Sequence, residues 1–309
     1  MRVLLVAEES AGIQALRMLA LARHDVAGVL TAPQTRGGGA TVATVAEGMR
    51  IPVLPSTRVR EPELAEWIRR QRIDLLLNVH SLYVVHPEVV AAPRIGSFNL
   101  HPGPLPEYAG LNAPSWALYH GEQRHAATVH WMHPEIDTGP IAYETTFDLA
   151  ETDTGLSVSA RCASEGLLLL ARLLEAAPRG TIPSIPQDLN RRRYYGREVP
   201  DGGRIRWKRS AREVMDFVRA CDYFPFASPW GQPLTWLDSR ELAITRASLT
   251  GEPAAAEPGT VGRVDEESVH VATGDEWIRL HRIRVDGRVV PASAVLEPGT
   301  WLTSTPARS

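Results

Sequence analysis

Asn99 and His101 stand two residues apart at the end of an apolar stretch that is typical of a strand. Alternate strand residues point to one face, and ligands bind in open α/β sheets beyond the carboxyl ends of the strands. Asp137 begins a D-T-G turn after a later strand. There its carboxylate can hold His101 in one tautomer and stabilise the protonated ring. Such a strand end is where chemistry is expected, beside a rigid loop that the prolines of residues 102–106 impose, although either motif alone is usually structural.

The elements that must position these residues come from an alternation of short β-branched runs and helical patterns in the first half of the chain. This alternation predicts a Rossmann-like, mostly parallel sheet covered by helices. The predicted strands are 2–7, 25–31, 51–54, 73–79, 97–100, 127–132 and 141–147. The turn after the first strand reads EESAG and lacks G-x-G-x-x-G, so we expect no dinucleotide there.

The remaining chain predicts a second, smaller domain. A long helical pattern over 154–177 closes the catalytic domain, which we assign to 1–180, and a Pro- and Arg-rich linker follows over 181–201. Residues 202–304 show one helix, 211–220, and several short strands separated by turns, which is typical of a small β-barrel-like (OB-like) domain. Residues 305–309 resemble a frayed tail.

Composition indicates an ordinary globular protein, with 44% hydrophobic and 22% charged residues and a net charge of -3. That charge provides no field for gathering nucleic acid. The two cysteines favour reduced core thiols and a cytoplasmic location, and no stretch has the length of a membrane span. The histidines outside the candidate site have no metal-ligand spacing with carboxylates or thiols, so we expect no metal.

The motifs between Gly96 and Pro140 carry a family resemblance. F-N-L-H, G-P-L-P-x-Y-A-G, W-A-L-x-x-G-E, T-V-H-W-M and I-D-T-G-P, in this order, resemble the folate-dependent formyltransferases. That family includes methionyl-tRNA, sugar-amine and glycinamide ribonucleotide formyltransferases. The resemblance implies 10-formyltetrahydrofolate as co-substrate and Asn99, His101 and Asp137 as the catalytic residues. Asn99 and His101 would stabilise the oxyanion, and either His101 or Asp137 acting through a water would take the amine proton. His130 we interpret as structural.

The resemblance also implies where the pterin binds, mainly through backbone groups of the loop after the fourth strand and of the segment before the catalytic aspartate. By position, the cofactor-binding residues are Leu82, Tyr83, Val84, Val85, Leu105, Glu135, Ile136 and Asp137. The first four belong to an apolar stretch that suits a flat heterocycle. The alternative interpretation of that stretch is a buried strand end.

The acceptor amine has several candidates. Residues 202–309 contain fourteen basic and fourteen acidic residues, and the loop 32–39 carries one basic residue, Arg36, which disfavours tRNA as a partner. The carboxylates of EESAG disfavour a phosphate, and so glycinamide ribonucleotide. The H-x-G-P-L-P-x-Y-A-G form resembles members from sugar or nonribosomal-peptide pathways. We therefore predict a small or carrier-protein-tethered amine of natural-product biosynthesis. The alternatives are a methionyl-tRNA formyltransferase, a non-catalytic folate-binding or scaffolding module, and hydrolysis of the formyl donor.

Overall fold

The computed structural model describes residues 1–32 and 39–306 of the 309-residue chain. Most of the loop 32–39, with its single basic residue Arg36, lies outside the described residues, and so does the end of the predicted tail, residues 307–309. The chain divides into two compact units. The first unit comprises Met1–Gly110, Arg124–Phe147 and Ala160–Tyr194, and the second comprises Leu111–Gln123, Asp148–Ser159 and the chain from Tyr195 onwards.

The strands and helices follow one another in chain order. The strands are β1 (Arg2–Ala7), β2 (Asp25–Thr31), β3 (Val53–Pro55), β4 (Leu75–Val79), β5 (Gly96–His101), β6 (Ala109–Gly110), β7 (Arg124–Trp131), β8 (Ile141–Asp148), β9 (Tyr194–Tyr195), β10 (Leu234–Leu237), β11 (Arg240–Pro253), β12 (Val261–Val264), β13 (Val269–Ala272), β14 (Glu276–Val285), β15 (Arg288–Pro291) and β16 (Leu302–Thr303). The α-helices are α1 (Glu9–Leu21), α2 (Val42–Gly48), α3 (Glu63–Arg70), α4 (Pro87–Val90), α5 (Ala113–Tyr119), α6 (Gly155–Ala176) and α7 (Ala211–Ala220).

The main sheet of the first unit has the order β3-β2-β1-β4-β5-β7-β8. The pairs among its first five strands are parallel, whereas β7 runs antiparallel to β5. The prediction of a mostly parallel, Rossmann-like sheet is therefore confirmed. The predicted strand 51–54 begins later, at Val53, because the N–H of Ile51 donates to Ala46 O at the end of α2.

Both faces of this sheet are covered, which explains why its strands are continuously apolar. On one face, alternate strand residues such as Val3, Leu5 and Leu77 pack with residues of α1, α2 and α6. On the other face, residues such as Leu4 and Leu76 pack with residues of α3. This packing fixes the register in which the polar residues at the strand ends meet.

The second unit contains an antiparallel sheet with the order β12-β13-β14-β11-β10-β16, and β15 pairs with β14. Backbone hydrogen bonds join the two edges: Val261 N–H donates to Thr300 O, and Leu302 N–H donates to Gly259 O. The sheet thus curls toward closure, which confirms the prediction of a barrel-like fold. Helix α7, predicted at 211–220, occupies that range and packs on β11 and β14.

Among residues 1–32 and 39–306, none of the helices combines the length and the apolar character that crossing a bilayer requires.

Candidate active site

Asn99 and His101 lie on β5, and Asp137 lies in the turn between β7 and β8. The structure brings the three side chains together within the first unit. Asp137 adopts a left-handed backbone conformation with φ of 57°. Two residues later, a Cβ on Gly139 would stand 1.8 Å from the carbonyl oxygen of Trp131. The glycine of the D-T-G-P motif is therefore required for the close approach that sets the position of Asp137.

The Asp137 carboxylate is the centre of the contacts. Its Oδ2 accepts a 2.8 Å hydrogen bond from the Gly110 N–H and lies 3.5 Å from His101 Nδ1. Its Oδ1 lies 3.4 Å from Asn99 Nδ2 and 3.3 Å from His130 Nε2. The residue is only 8% exposed, so these interactions occur in a medium that screens charge poorly.

Two opposing effects set the protonation state of Asp137. Burial alone would raise the pKa of its carboxyl group, since desolvation penalises the charged form. The neighbouring His101, His130 and Gly110 N–H outweigh burial and hold the pKa of Asp137 below its ordinary value. The site therefore contains a carboxylate at neutral pH.

His101 is held by a backbone carbonyl. Its Nε2 lies 2.6 Å from Tyr108 O, and because a carbonyl oxygen only accepts, Nε2 carries the hydrogen. The expectation that Asp137 selects the tautomer was wrong in this respect, since Tyr108 O already determines it. Burial lowers the pKa of His101, while the charge of Asp137 opposes that shift. In the neutral ring Nδ1 is therefore unprotonated, and it lies 3.5 Å from Asp137 Oδ2.

His130, which we interpreted as structural, belongs to the same cluster. Its Nδ1 donates a 2.8 Å hydrogen bond to Trp131 O, and its Nε2 lies 3.1 Å from Asn99 Nδ2 and 3.3 Å from Asp137 Oδ1. In the β5–β7 register, His130 lies directly opposite Asn99. The sequence signal was the T-V-H-W-M motif itself, read together with an antiparallel pairing of its strand.

Two further residues were missed. Asn78, on β4, donates through Nδ2 to Asn99 Oδ1 at 2.9 Å. Gln187, inside the segment predicted as a linker, donates through Nε2 to the backbone oxygens of Asp137 and Gly139 at 3.0 and 2.6 Å. Each of them contacts a site residue that is distant from it in sequence, so no local motif reveals the contact.

The residues predicted to bind the pterin occupy two environments. Leu82 is 76% and Val84 54% exposed, although both are apolar, and Ile136 and Glu135 are also exposed. Val85 and Leu105 are buried, and Tyr83 packs beside the core with the Arg60 guanidinium 4.8 Å from its ring centre. Since Asn78 and Asp137 both contact Asn99, the loop after β4 and the turn before Asp137 flank that residue.

Within the part of the chain that the structure describes, no group of three or more histidine, cysteine or acidic side chains has the arrangement of a metal site.

Comparisons with known proteins match both parts of the chain to one family. The family model described as "Formyl transferase" matches residues 3–174, and the model described as "Formyl transferase, C-terminal domain" matches residues 199–297. A methionyl-tRNA formyltransferase from Pelotomaculum thermopropionicum is 27% identical over 99% of this chain and 96% of its own length.

Solved structures share the fold. An N-formyltransferase from Helicobacter canadensis in complex with folinic acid and dTDP-3-aminofucose superposes with a TM-score of 0.69 at 17% identity, covering 91% of this chain and 99% of its own. HypX from Aquifex aeolicus in complex with tetrahydrofolic acid gives a TM-score of 0.66 at 20% identity, covering 96% of this chain and 47% of HypX. At such identities the likeness concerns the fold alone. The two family matches extend over most of the sequence, and the chain therefore belongs to the formyl transferase family and is a formyl-transfer enzyme.

Proposed function

We propose that this protein transfers the formyl group of 10-formyltetrahydrofolate to the amine of a small or carrier-tethered substrate, using Asn99, His101 and Asp137. The observation that carries the proposal is the buried cluster in which a carboxylate, a neutral imidazole and an oriented amide meet. Formyl transfer needs an oxyanion donor and a group that manages the amine proton. These three side chains supply both.

The reaction begins when the neutral amine attacks the formyl carbon and a C–N bond forms. The carbonyl oxygen becomes an oxyanion, to which Asn99 Nδ2–H donates. Asn99 is the most exposed of the three, since His101 is 2% and Asp137 8% exposed, so its amide meets the carbonyl first. The amine proton passes to His101 Nδ1, and Asp137 Oδ2, 3.5 Å away, stabilises the imidazolium. Collapse breaks the bond between carbon and the folate nitrogen, which receives the proton.

Folate as the formyl carrier is supported by the two neighbours of the same fold whose structures contain folinic acid and tetrahydrofolic acid. In this chain, the exposed apolar side chains of Leu82, Val84 and Ile136 present a surface that suits a flat heterocycle. We expect 5-formyltetrahydrofolate at millimolar concentration to raise the midpoint of thermal unfolding by mass action, without any amine. NAD should give no shift.

A small amine as acceptor is supported by the motif H-x-G-P-L-P-x-Y-A-G and by the amino sugar nucleotide in the Helicobacter canadensis structure. We infer natural-product biosynthesis as the context for such an acceptor.

Methionyl-tRNA is the second candidate, and one structural observation favours it. Although acidic and basic residues are equal in number after residue 201, burial and then the charges of Arg246, Arg279 and Arg282 lower the pKa of His281 in the antiparallel sheet. Arg282 and Arg279 also pair with Glu267 and Asp265, at 3.1 and 4.0 Å. Basic charges concentrated in this way can contact phosphates even when the net charge is zero. The relative from Pelotomaculum thermopropionicum points the same way.

The catalytic part of the proposal is tested with Asn99→Ala, His101→Ala and Asp137→Ala. Each should lose at least about 10²-fold in kcat with an unchanged fold by circular dichroism, since each removes transition-state stabilisation and little core volume. His24→Ala, distant in sequence from the cluster, is the matched control and should retain kcat. Wild-type turnover in any two of the three variants would overturn the mechanism.

The acceptor is tested by offering 10-formyltetrahydrofolate with an amino-sugar nucleotide panel, aminoacyl carrier proteins and charged initiator tRNA, and by detecting formylated product by mass spectrometry. We expect product from one of the first two classes. Efficient formylation of the tRNA would identify the second candidate instead. In that case the logarithm of the tRNA binding constant should fall with the logarithm of the salt concentration, with a slope of about -0.9 per phosphate contact. Formyl-donor turnover without any amine would identify a hydrolase, and no turnover with any acceptor would indicate a folate-binding module.

A further inference from the structure

Asn78 is a buried amide in an otherwise apolar strand. The rest of β4 consists of Leu75–Leu77 and Val79, and Asn78 itself is 7% exposed. It lies directly opposite Asn99 in the parallel β4–β5 register. Its Nδ2 donates to Asn99 Oδ1 at 2.9 Å and to Ser81 O at 3.3 Å. Its Oδ1 is buried and forms no hydrogen bond with any residue that the structure describes.

The chemistry of the neighbours forces the orientation of both amides. The Asp137 carboxylate only accepts hydrogen bonds, and its Oδ1 lies 3.4 Å from the Asn99 amide nitrogen. Asn99 must therefore turn Nδ2 toward this carboxylate, where Nδ2 also lies 3.1 Å from His130 Nε2. Its Oδ1 then faces β4. Asn78 in turn must present Nδ2, which leaves its own Oδ1 unpaired.

That unpaired oxygen is a cost of the arrangement. A buried acceptor without a partner destabilises the native state, and a valine or leucine like the flanking residues would avoid it. The amide at Asn78 therefore does not serve packing. What it provides is a hydrogen bond to Asn99 Oδ1 that adds to the contact with Asp137 and opposes rotation of the Asn99 carboxamide by half a turn, which would exchange its oxygen and nitrogen.

We propose that Asn78 is a positioning residue for formyl transfer. Through the hydrogen bond to Asn99 Oδ1 it holds the Asn99 carboxamide with Nδ2 on the side of Asp137, where an N–H held loosely at 3.4 Å by Asp137 Oδ1 is available to the oxyanion. This inference rests on the proposed function, since it assigns Asn99 as the oxyanion donor. It adds a fourth position, on β4, on which the reaction depends.

Two substitutions test the proposal. Asn78→Val removes the donor and the unpaired acceptor together, so kcat should fall by about 10- to 10²-fold, with KM for the formyl donor little changed and the urea midpoint unchanged or higher. Asn78→Asp substitutes an acceptor that favours rotation of Asn99. Its kcat should fall further at about pH 8 and recover relative to wild type as the pH falls, because a protonated carboxyl group can again donate. Ser56→Ala, which alters another buried and unpartnered polar group in the same unit, is the control and should retain kcat.

The outcomes separate this inference from the function on which it rests. If the Asn99, His101 and Asp137 variants remain active, the proposed mechanism fails. If those variants are inactive but both Asn78 variants keep kcat within about twofold of wild type, the positioning role alone is overturned, because a lost oriented donor costs more than that. A lower urea midpoint in Asn78→Val, together with a pH-independent ratio of Asn78→Asp to wild-type kcat, would also overturn it, since a packing role predicts that result.

Discussion

His125 supports the loop that follows His101, and its titration should make the stability of the protein depend on pH. Its Nε2 donates to Pro102 O at 2.9 Å, and its ring packs edge-on against Tyr108 and Phe147. Burial lowers the pKa of His125 from 6.5 to about 4. Below pH 6.5 the unfolded chain therefore binds a proton that the native state does not bind. Stability falls as the pH decreases from 6.5 to about 4, by about 3 kcal/mol in total at 1.36 kcal/mol per unit.

The test is His125→Gln, which keeps a donor near the position of Nε2 and removes the titration. We expect urea unfolding, followed by tryptophan fluorescence, to show that acidification from about pH 7.5 to 4.5 costs this variant about 2–3 kcal/mol less than the wild type. Other groups titrate equally in both proteins and cancel in the comparison. His133→Gln, at an exposed histidine, is the control and should behave as wild type. An equal loss of stability in His125→Gln and wild type would refute the assignment of a neutral, buried His125.

Two further predictions concern the turn that contains Asp137 and Gly139. Gly139→Ala should lower kcat and destabilise the protein by about 1–3 kcal/mol in urea unfolding, because the added Cβ would stand 1.8 Å from Trp131 O and displace Asp137. Wild-type values of both quantities would contradict this explanation. Asp137→Asn should lower the maximal kcat/KM and also move the acidic limb of the kcat/KM–pH profile to lower pH, because the Asp137 carboxylate raises the pKa of His101 against burial. An acidic limb that moves to higher pH would contradict that role.

The sequence predicted the residues whose arrangement is local. Asn99 and His101 share one strand, so their common face follows from the strand period alone. Asp137 is the first residue of the D-T-G-P motif, so the sequence identifies it directly. The rule for strand ends predicted a ligand-binding position for Asn99 and His101. Asp137 follows β7, which runs antiparallel to β5, so its approach to His101 depends on the turn between β7 and β8. Their assignment as catalytic residues stays a prediction until the substitutions above are measured.

What the sequence could not provide is the cross-strand register. Asn78, Asn99 and His130 form one row over β4, β5 and β7 because each lies opposite the next. Shifting any of these strands by one residue would turn its polar member to the other face. Nor could a motif identify Tyr108 as the partner of His101, because the atom involved is a backbone oxygen that any residue type would supply.

Net charge was likewise an incomplete guide to the acceptor. The net charge of residues 202–309 is zero, yet electrostatic attraction depends on which charges lie within a Debye length of one another. The antiparallel pairing aligns Arg246 with Arg282, Arg279 lies three residues earlier on the same strand, and the charges of all three lower the pKa of His281. A neutral total therefore argues less strongly against a polyanionic acceptor than the sequence alone indicated.

In the mechanism that we propose, the directions of the two pKa shifts decide which group accepts the proton of the amine. Asp137 has a lowered pKa, so its carboxylate is a weak base and gains little by accepting a proton from the attacking amine. His101 is neutral, its Nε2–H is committed to Tyr108 O, and only Nδ1 can accept. Once Nδ1 is protonated, the carboxylate 3.5 Å away becomes an opposite charge in a buried setting, where attraction is strong. The same Asp137 also fixes the amide of Asn99, so a single carboxylate prepares both the oxyanion donor and the proton acceptor.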